Sequence, residues 1–229
     1  MLAKNRGDNM YKFLVMTALV ANVCGESSAE HHARLSEEQK GQVVCALAAF
    51  NTITAKEVIY VSTPITSGKR LYDYMEAKGF ATIEEAKKDW KGFVLNVITP
   101  NIEESERTSA KFALETDGAV IAPTAFEKRF HGNRVGTWGQ DTFMSMWLAL
   151  LEEHVTHLVM LDGWHYSNGA SEEYVQAVKK GILITDAGGN KITLDQGVQL
   201  LQKALDDIHG RDLKAPVLVE VLAELMNLG

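Results

Sequence analysis

Residues 156–186, THLVMLDGWHYSNGASEEYVQAVKKGILITD, decide how the rest of the chain is read. THLVMLD is apolar and short enough for a buried strand, and ILITD at 182–186 is a second such run. Between them, 170–180 carries apolar residues at helical spacing and stops at Gly181, a residue suited to a left-handed helix end. Short apolar strands alternating with amphipathic helices make a parallel sheet covered on both faces. The loop that joins strand to helix is crowded with polar and aromatic side chains. In parallel sheets that carboxyl edge is where ligands are received.

The alternation extends in both directions. EVIYVSTPI (57–65), FVLNVIT (93–99) and AVIAP (119–123) are predicted strands. Predicted helices cover 68–78, closed by Gly79; 82–90, capped by Thr82; 105–116, ended at Asp117-Gly118; and 141–154. Downstream, DAGGN (186–190) is a turn, followed by helices over 193–209 and 216–227. Ahead of the first strand, 9–24 and 36–50 read as helices, the second opened by SEEQ, a capping box with Ser36 as N-cap. The predicted fold is α/β: a three-layer, flavodoxin- or Rossmann-like parallel sheet with helices on both faces. Residues 1–50 form an N-terminal helical extension and 51–229 the α/β domain. TAFEKRFHGNRVGTWGQ (124–140) has no periodicity and is long for a connector, which suits a binding loop or lid.

Composition narrows the partners. Of 229 residues 46% are apolar, enough for a full core, and the net charge of −7 comes with no basic stripe. That argues against a nucleic-acid polymer as partner, while a small phosphorylated ligand needs only one or two local cations. Cys24 and Cys45 have no metal-type spacing, so a reduced, cytoplasmic protein is expected. Residues 10–29 follow the rough grammar of a signal peptide, but Asn22 interrupts the apolar run and it is too short to span a bilayer. A buried helix is the preferred reading, with no membrane partner.

Three strand ends collect chemistry on one edge. The first ends in YVSTPITSGKR, where Tyr60, Ser62, Thr63 and Thr66 precede the cations Lys69 and Arg70. The third ends in APTAF, and Asp141 opens the helix after the long loop. The 162–173 loop adds small residues, Ser167, Gly169 and Ala170, before a helix N-terminus whose N–H groups and dipole suit a phosphate or sugar hydroxyl. Glu173 falls near the first turn and can point into the crevice. The plainer reading is that acids in a first turn merely complement the dipole. Glu172 and Glu173 project about 100° apart, so one of the two is expected to be solvated.

YVSTPI (60–65) paired with the distant GWHYSNGASEE (163–173), with VIAP between them, resembles the nucleoside 2-deoxyribosyltransferase superfamily, and within it the nucleoside 5′-monophosphate N-glycosidases. The likeness covers roughly residues 57–186. It implies that Glu173 is the nucleophile that attacks the anomeric carbon and releases the base. It implies that Tyr60 orients Glu173 and that Asp141 is the general acid for the base. Ser62, Thr63, Pro64, Ile65, Asp162, Trp164, Ser167, Asn168, Gly169 and Ala170 would line the substrate. Ser167 and Gly169 in the SNG turn would bind a 5′-phosphate, helped by Lys69 or Arg70 unless these are solvated surface charges. The first loop lacks the family's early glycine, and Asp162, Trp164 and His165 carry no assigned chemistry. The resemblance further implies a small-molecule nucleoside or nucleotide as partner, no cofactor, and a homo-oligomer, most simply a dimer.

Other motifs fail. SGKR lacks the upstream glycine and the Ser/Thr of a P-loop, no G-x-G-x-x-G follows a strand, and His31-His32 and the other histidines form no metal set. No G-x-S-x-G elbow is present. Two rivals stand: a phosphoribohydrolase of another Rossmann-like family, whose glycine-rich turn SNGASEE matches in part, and a nucleotide- or sugar-binding protein without turnover.

Overall fold

A computed structural model describes residues 28–126 and 138–229. In chain order the elements are α1 (Ser28–Ala33), α2 (Glu37–Phe50), β1 (Val58–Ser62), α3 (Lys69–Lys78), α4 (Ile83–Lys88), α5 (Trp90–Phe93), a π-helical turn (Val94–Ile98), α6 (Thr99–Glu115) and β2 (Ala119–Ile121). Then come α7 (Gln140–Glu153), β3 (His157–Met160), a 3₁₀ turn (Trp164–Tyr166), α8 (Asn168–Lys180), β4 (Leu183–Asp186), α9 (Leu194–Gly210) and α10 (Pro216–Leu228). The four strands form one parallel sheet in the order β2-β1-β3-β4. The chain leaves β1 toward β2 on one side and returns to β3 on the other, so the topological switch point lies between the carboxyl ends of β1 and β3.

Alternation along the strands sorts the core into two layers. Val58 and Tyr60 of β1, with Leu158 and Met160 of β3, face a large cluster supplied by α7, α8, α9 and α10. Ile59 and Val61, with Val159 and Leu161, face the opposite side, where Phe112 of α6 covers them. Every β1 residue is buried, as a central strand in a covered sheet requires. The predicted α/β class, with helices on both faces, is the observed one. α1 and α2 both pack against α7, which places the N-terminal helices beside the sheet's covering layer.

Local signals set most boundaries. Ser36 closes its capping box with Gln39, Thr82 accepts from the Glu85 amide, and Gly79 and Gly181 end α3 and α8 in the left-handed conformation. The predicted strand at 93–99 is an error. FVLNVIT is helical, and 90–115 runs through α5, the π turn and α6 without a break. Phe93 and Val97, one helical turn apart, bury against Leu71, Tyr74, Met75 and Ala86, while Leu95 stays exposed. A third hydrophobic cluster thus overrides the β-branched preference of the run. The π turn has a cause in Pro100, which has no N–H to bond the Asn96 carbonyl and whose ring would strike it. Widening the turn, with the Thr99 amide bonded to the Val94 carbonyl, relieves that conflict. The predicted helix 9–24, and most of the 124–140 loop, lie outside the described residues; 123–126 are helical.

Two glycines let the loops after β1 and β3 meet at the switch point. Gly68, at φ 78° and ψ −178°, occupies a region essentially reserved for glycine, and a Cβ there would sit 2.7 Å from Pro64 Cβ. Gly163, at φ 73°, would place a Cβ 2.9 Å from Lys69 Cβ. Gly68→Ala is expected to lose about 2–4 kcal/mol of stability, adding backbone strain to overlap. Urea unfolding followed by circular dichroism checks this, and a loss within about 0.5 kcal/mol would show that the loop relaxes freely.

Candidate active site at the β1–β3 switch point

Glu173 is anchored from β1. It is 5% exposed, and its Oε1 accepts from the Tyr60 hydroxyl at 2.6 Å while its Oε2 accepts from the Ser62 hydroxyl at 2.5 Å. Tyr60 and Ser62 are two residues apart on a strand, so both point at the same face, and α8 crosses that face. Two short side-chain hydrogen bonds to one carboxyl group join strand and helix at this point. The Tyr60 ring is held in turn by an edge contact with Trp147, centroids 5.8 Å apart.

α8 starts at Asn168, two residues earlier than predicted, so Glu172 and Glu173 belong to its second turn. The dipole account of these acids therefore fails, because dipole stabilisation acts within the first turn. The expectation that one of the pair is solvated also fails: Glu172 is 7% exposed. α8 is sandwiched between α7 and α10, which leaves no solvated side at this turn. Glu172 faces a residue that sequence reasoning passed over. His31, in α1 and 3% exposed, places Nε2 3.1 Å from Glu172 Oε2 and Nδ1 2.9 Å from Asp141 Oδ1. A six-residue helix is too short to display a hydrophobic period, and partners 110 and 141 residues away leave no local trace.

Asp141 sits in the first turn of α7, as predicted, but its state differs from that of a general acid. The His31 hydrogen bond, and behind it Arg34 at 3.3 Å, hold its carboxyl below the usual carboxylate range. At neutral pH Asp141 is ionised and accepts rather than donates.

The remaining sequence candidates divide into three groups. Ser167 is the N-cap of α8: its hydroxyl accepts from the Ala170 amide at 3.5 Å and from the Ser67 hydroxyl at 2.9 Å. Asn168 is exposed, Ala170 is buried, and Gly169 abuts Met144 and Gln140, which brings the N-termini of α7 and α8 together. The SNG turn thus lies beside the first turns of α7. A second group supports the 63–67 loop. Thr63 donates to Ser105, and the carbonyls of Pro64, Ile65 and Ser67 all receive the Asn101 amide. Arg70 holds Asn101 in place at 2.6 Å and pairs with Glu104 at 2.6 Å, while Lys69 pairs with Asp73. Both cations proposed for a phosphate therefore already have acidic partners. Asn101 was not foreseen, since it follows the run misread as a strand.

The third group lies across the 162–166 loop. A cavity of about 690 Å³ at the carboxyl ends of β3 and β4 is lined by Asp162, Trp164, His165, Asp186, Lys191 and Lys203 among others, and Glu173 is not part of its wall. Trp164 is 3% exposed and stacks on Tyr174 with centroids 4.5 Å apart, a packing role. Asp162 accepts from the Gly163 amide. Among the described residues no group of His, Cys, Asp or Glu could hold a metal ion, and no helix is long and apolar enough to cross a membrane. No protein family, curated protein or solved structure matches the chain.

Burial lowers the His165 pKa from 6.5 to about 4, and its Nδ1 is buried with no hydrogen-bond partner among the described residues. Between those two values the unfolded chain holds a proton that the native state does not. Native stability therefore falls as pH drops from about 6.5 to about 4, by at most about 3 kcal/mol. His165→Gln is expected to flatten this part of the profile, measured as the urea midpoint against pH. An unchanged slope would assign the effect elsewhere.

Proposed function

We propose that the protein cleaves the N-glycosidic bond of a nucleoside 5′-monophosphate through a covalent glycosyl–glutamate intermediate, as an N-glycosidase or (deoxy)ribosyltransferase. The observation that carries this reading is the buried Glu173 carboxylate, with one oxygen on Tyr60 and the other on Ser62, at the edge where parallel sheets bind ligands. Such a carboxylate is oriented before substrate arrives, which is how an enzyme lowers the entropy cost of attack.

In the first step a Glu173 oxygen bonds to the anomeric carbon. The bond from that carbon to the base breaks, its electron pair leaves with the base, and the base nitrogen takes a proton from water. Asp141, ionised, accepts a hydrogen bond from the base and orients it. In the second step water, or the nitrogen of a second base, attacks the same carbon from the opposite face. The ester C–O bond breaks, the carboxylate is restored, the proton of the attacking water or base nitrogen goes to the hydroxide left by the first step, and two inversions give net retention. The Tyr60 and Ser62 hydroxyls stabilise the carboxylate as leaving group. The SNG turn and the start of α8 offer backbone N–H groups to the 5′-phosphate.

A second reading, nucleotide binding without turnover, draws on the ionised Asp141, which has no proton to give a departing base. Incubation with ribo- and deoxyribonucleoside 5′-monophosphates, followed by chromatography for free base, separates the two. Release by the wild type supports the enzyme, and binding by calorimetry with no release supports the second reading. Glu173→Ala is expected to lower kcat by at least about 10³-fold while nucleotide still binds. Tyr60→Phe is expected to lower it by about 10–100-fold. Release that survives in Glu173→Ala would overturn the assignment of the nucleophile.

A further inference from the structure

His31 stands between two carboxylates that come from different helices of the candidate site. Its ring is 3% exposed, Nδ1 meets Asp141 at the start of α7, and Nε2 meets Glu172, the residue immediately before the proposed nucleophile. The two ring nitrogens lie on opposite sides of the imidazole, so one side chain meets both carboxyl groups at once and ties the two helices together. The contact is reinforced by its neighbours: Arg34, just past the end of α1, also reaches Asp141, and His32 Nδ1 lies 3.2 Å from Ser145 Oγ on α7. The N-termini of α7 and α8 are otherwise joined at Gly169, which touches Met144 and Gln140.

We infer that His31 is a positioning residue, a crosslink by which the N-terminal segment holds Asp141 and Glu172, and through them the N-termini of α7 and α8, in the arrangement the proposed contact of Asp141 with the base requires. The role given to Asp141 rests on the N-glycosidase reading; the crosslink itself does not. It assigns a task to α1, which lies outside the 57–186 stretch that resembles the deoxyribosyltransferases. It also explains how two adjacent glutamates are both buried: Glu173 is met by hydroxyls of β1, and Glu172 by an imidazole from α1.

Three forms of the full chain test this: wild type, His31→Ala, and His31→Ala with Glu172→Gln. His31→Ala leaves a buried carboxylate without its imidazole, so its Tm is expected to fall; replacing Glu172 by neutral Gln removes that burden and is expected to restore Tm. A positioning role predicts that kcat for base release, at least tenfold down in His31→Ala, stays down in the double variant because Asp141 still lacks the imidazole that sets its place. If kcat recovers together with Tm, or never falls, the positioning role is overturned and His31 is structural. Hydrogen–deuterium exchange decides the crosslink whether or not base is released. Faster exchange across 28–35 and the first turns of α7 and α8 in His31→Ala supports it, and unchanged exchange there overturns it. Wild-type protein that releases no base from any nucleotide refutes the reading of function, while the exchange result stands on its own.

Discussion

The Glu173 carboxylate is the constraint around which the described structure is arranged. A buried carboxylate without donors costs several kcal/mol, and here two hydroxyls from one strand supply them. That demand fixes the register of α8 over β1: Tyr60 and Ser62 must share a face, and Glu173 must meet it. Because α8 also follows β3 directly, the same contact sets the path of the 162–167 loop. The carboxylate, the strand crossing and the loop are one geometric solution.

Around this pair the fold converges from several directions. α6 sends Asn101 and Ser105 to hold the 63–67 loop by its carbonyls and by Thr63. α3 sends Arg70 to hold Asn101. α1 sends His31 to the opposite side. None of these supports is a neighbour in sequence of what it supports. A site built in this way is rigid because each polar group that touches it is itself anchored, a property expected where geometry must be kept.

How much of this could be read from the chain depended on range. The strand at Tyr60, the caps at Ser36 and Thr82, and the glycine stops at Gly79 and Gly181 follow from residues within a turn of one another, and these agreed with the structure. The juxtaposition of Glu173 with Tyr60 was reached through a motif pair 113 residues apart. FVLNVIT went wrong because its β-branched composition is a local preference, while Phe93 and Val97 answer to a cluster formed with α3 and α4. His31 and Asn101 were missed for the same reason: their roles exist only through distant partners. The charged state of Asp141 was likewise invisible, being set by α1.

The π turn at 94–98 carries a consequence for the loop at 63–67. A π turn accommodates one residue more than the α spiral, and one residue is about 100° of rotation. Its surplus residue sets the phase between the part of this long helix that packs on α3 and the part that begins at Thr99. In that phase Asn101 looks at the carbonyls after β1, while Phe93 and Val97 still look into their own cluster. Deleting one residue from the turn would keep either alignment but not both. An irregularity in a remote helix therefore works as the dial that aims an amide at the loop leaving β1.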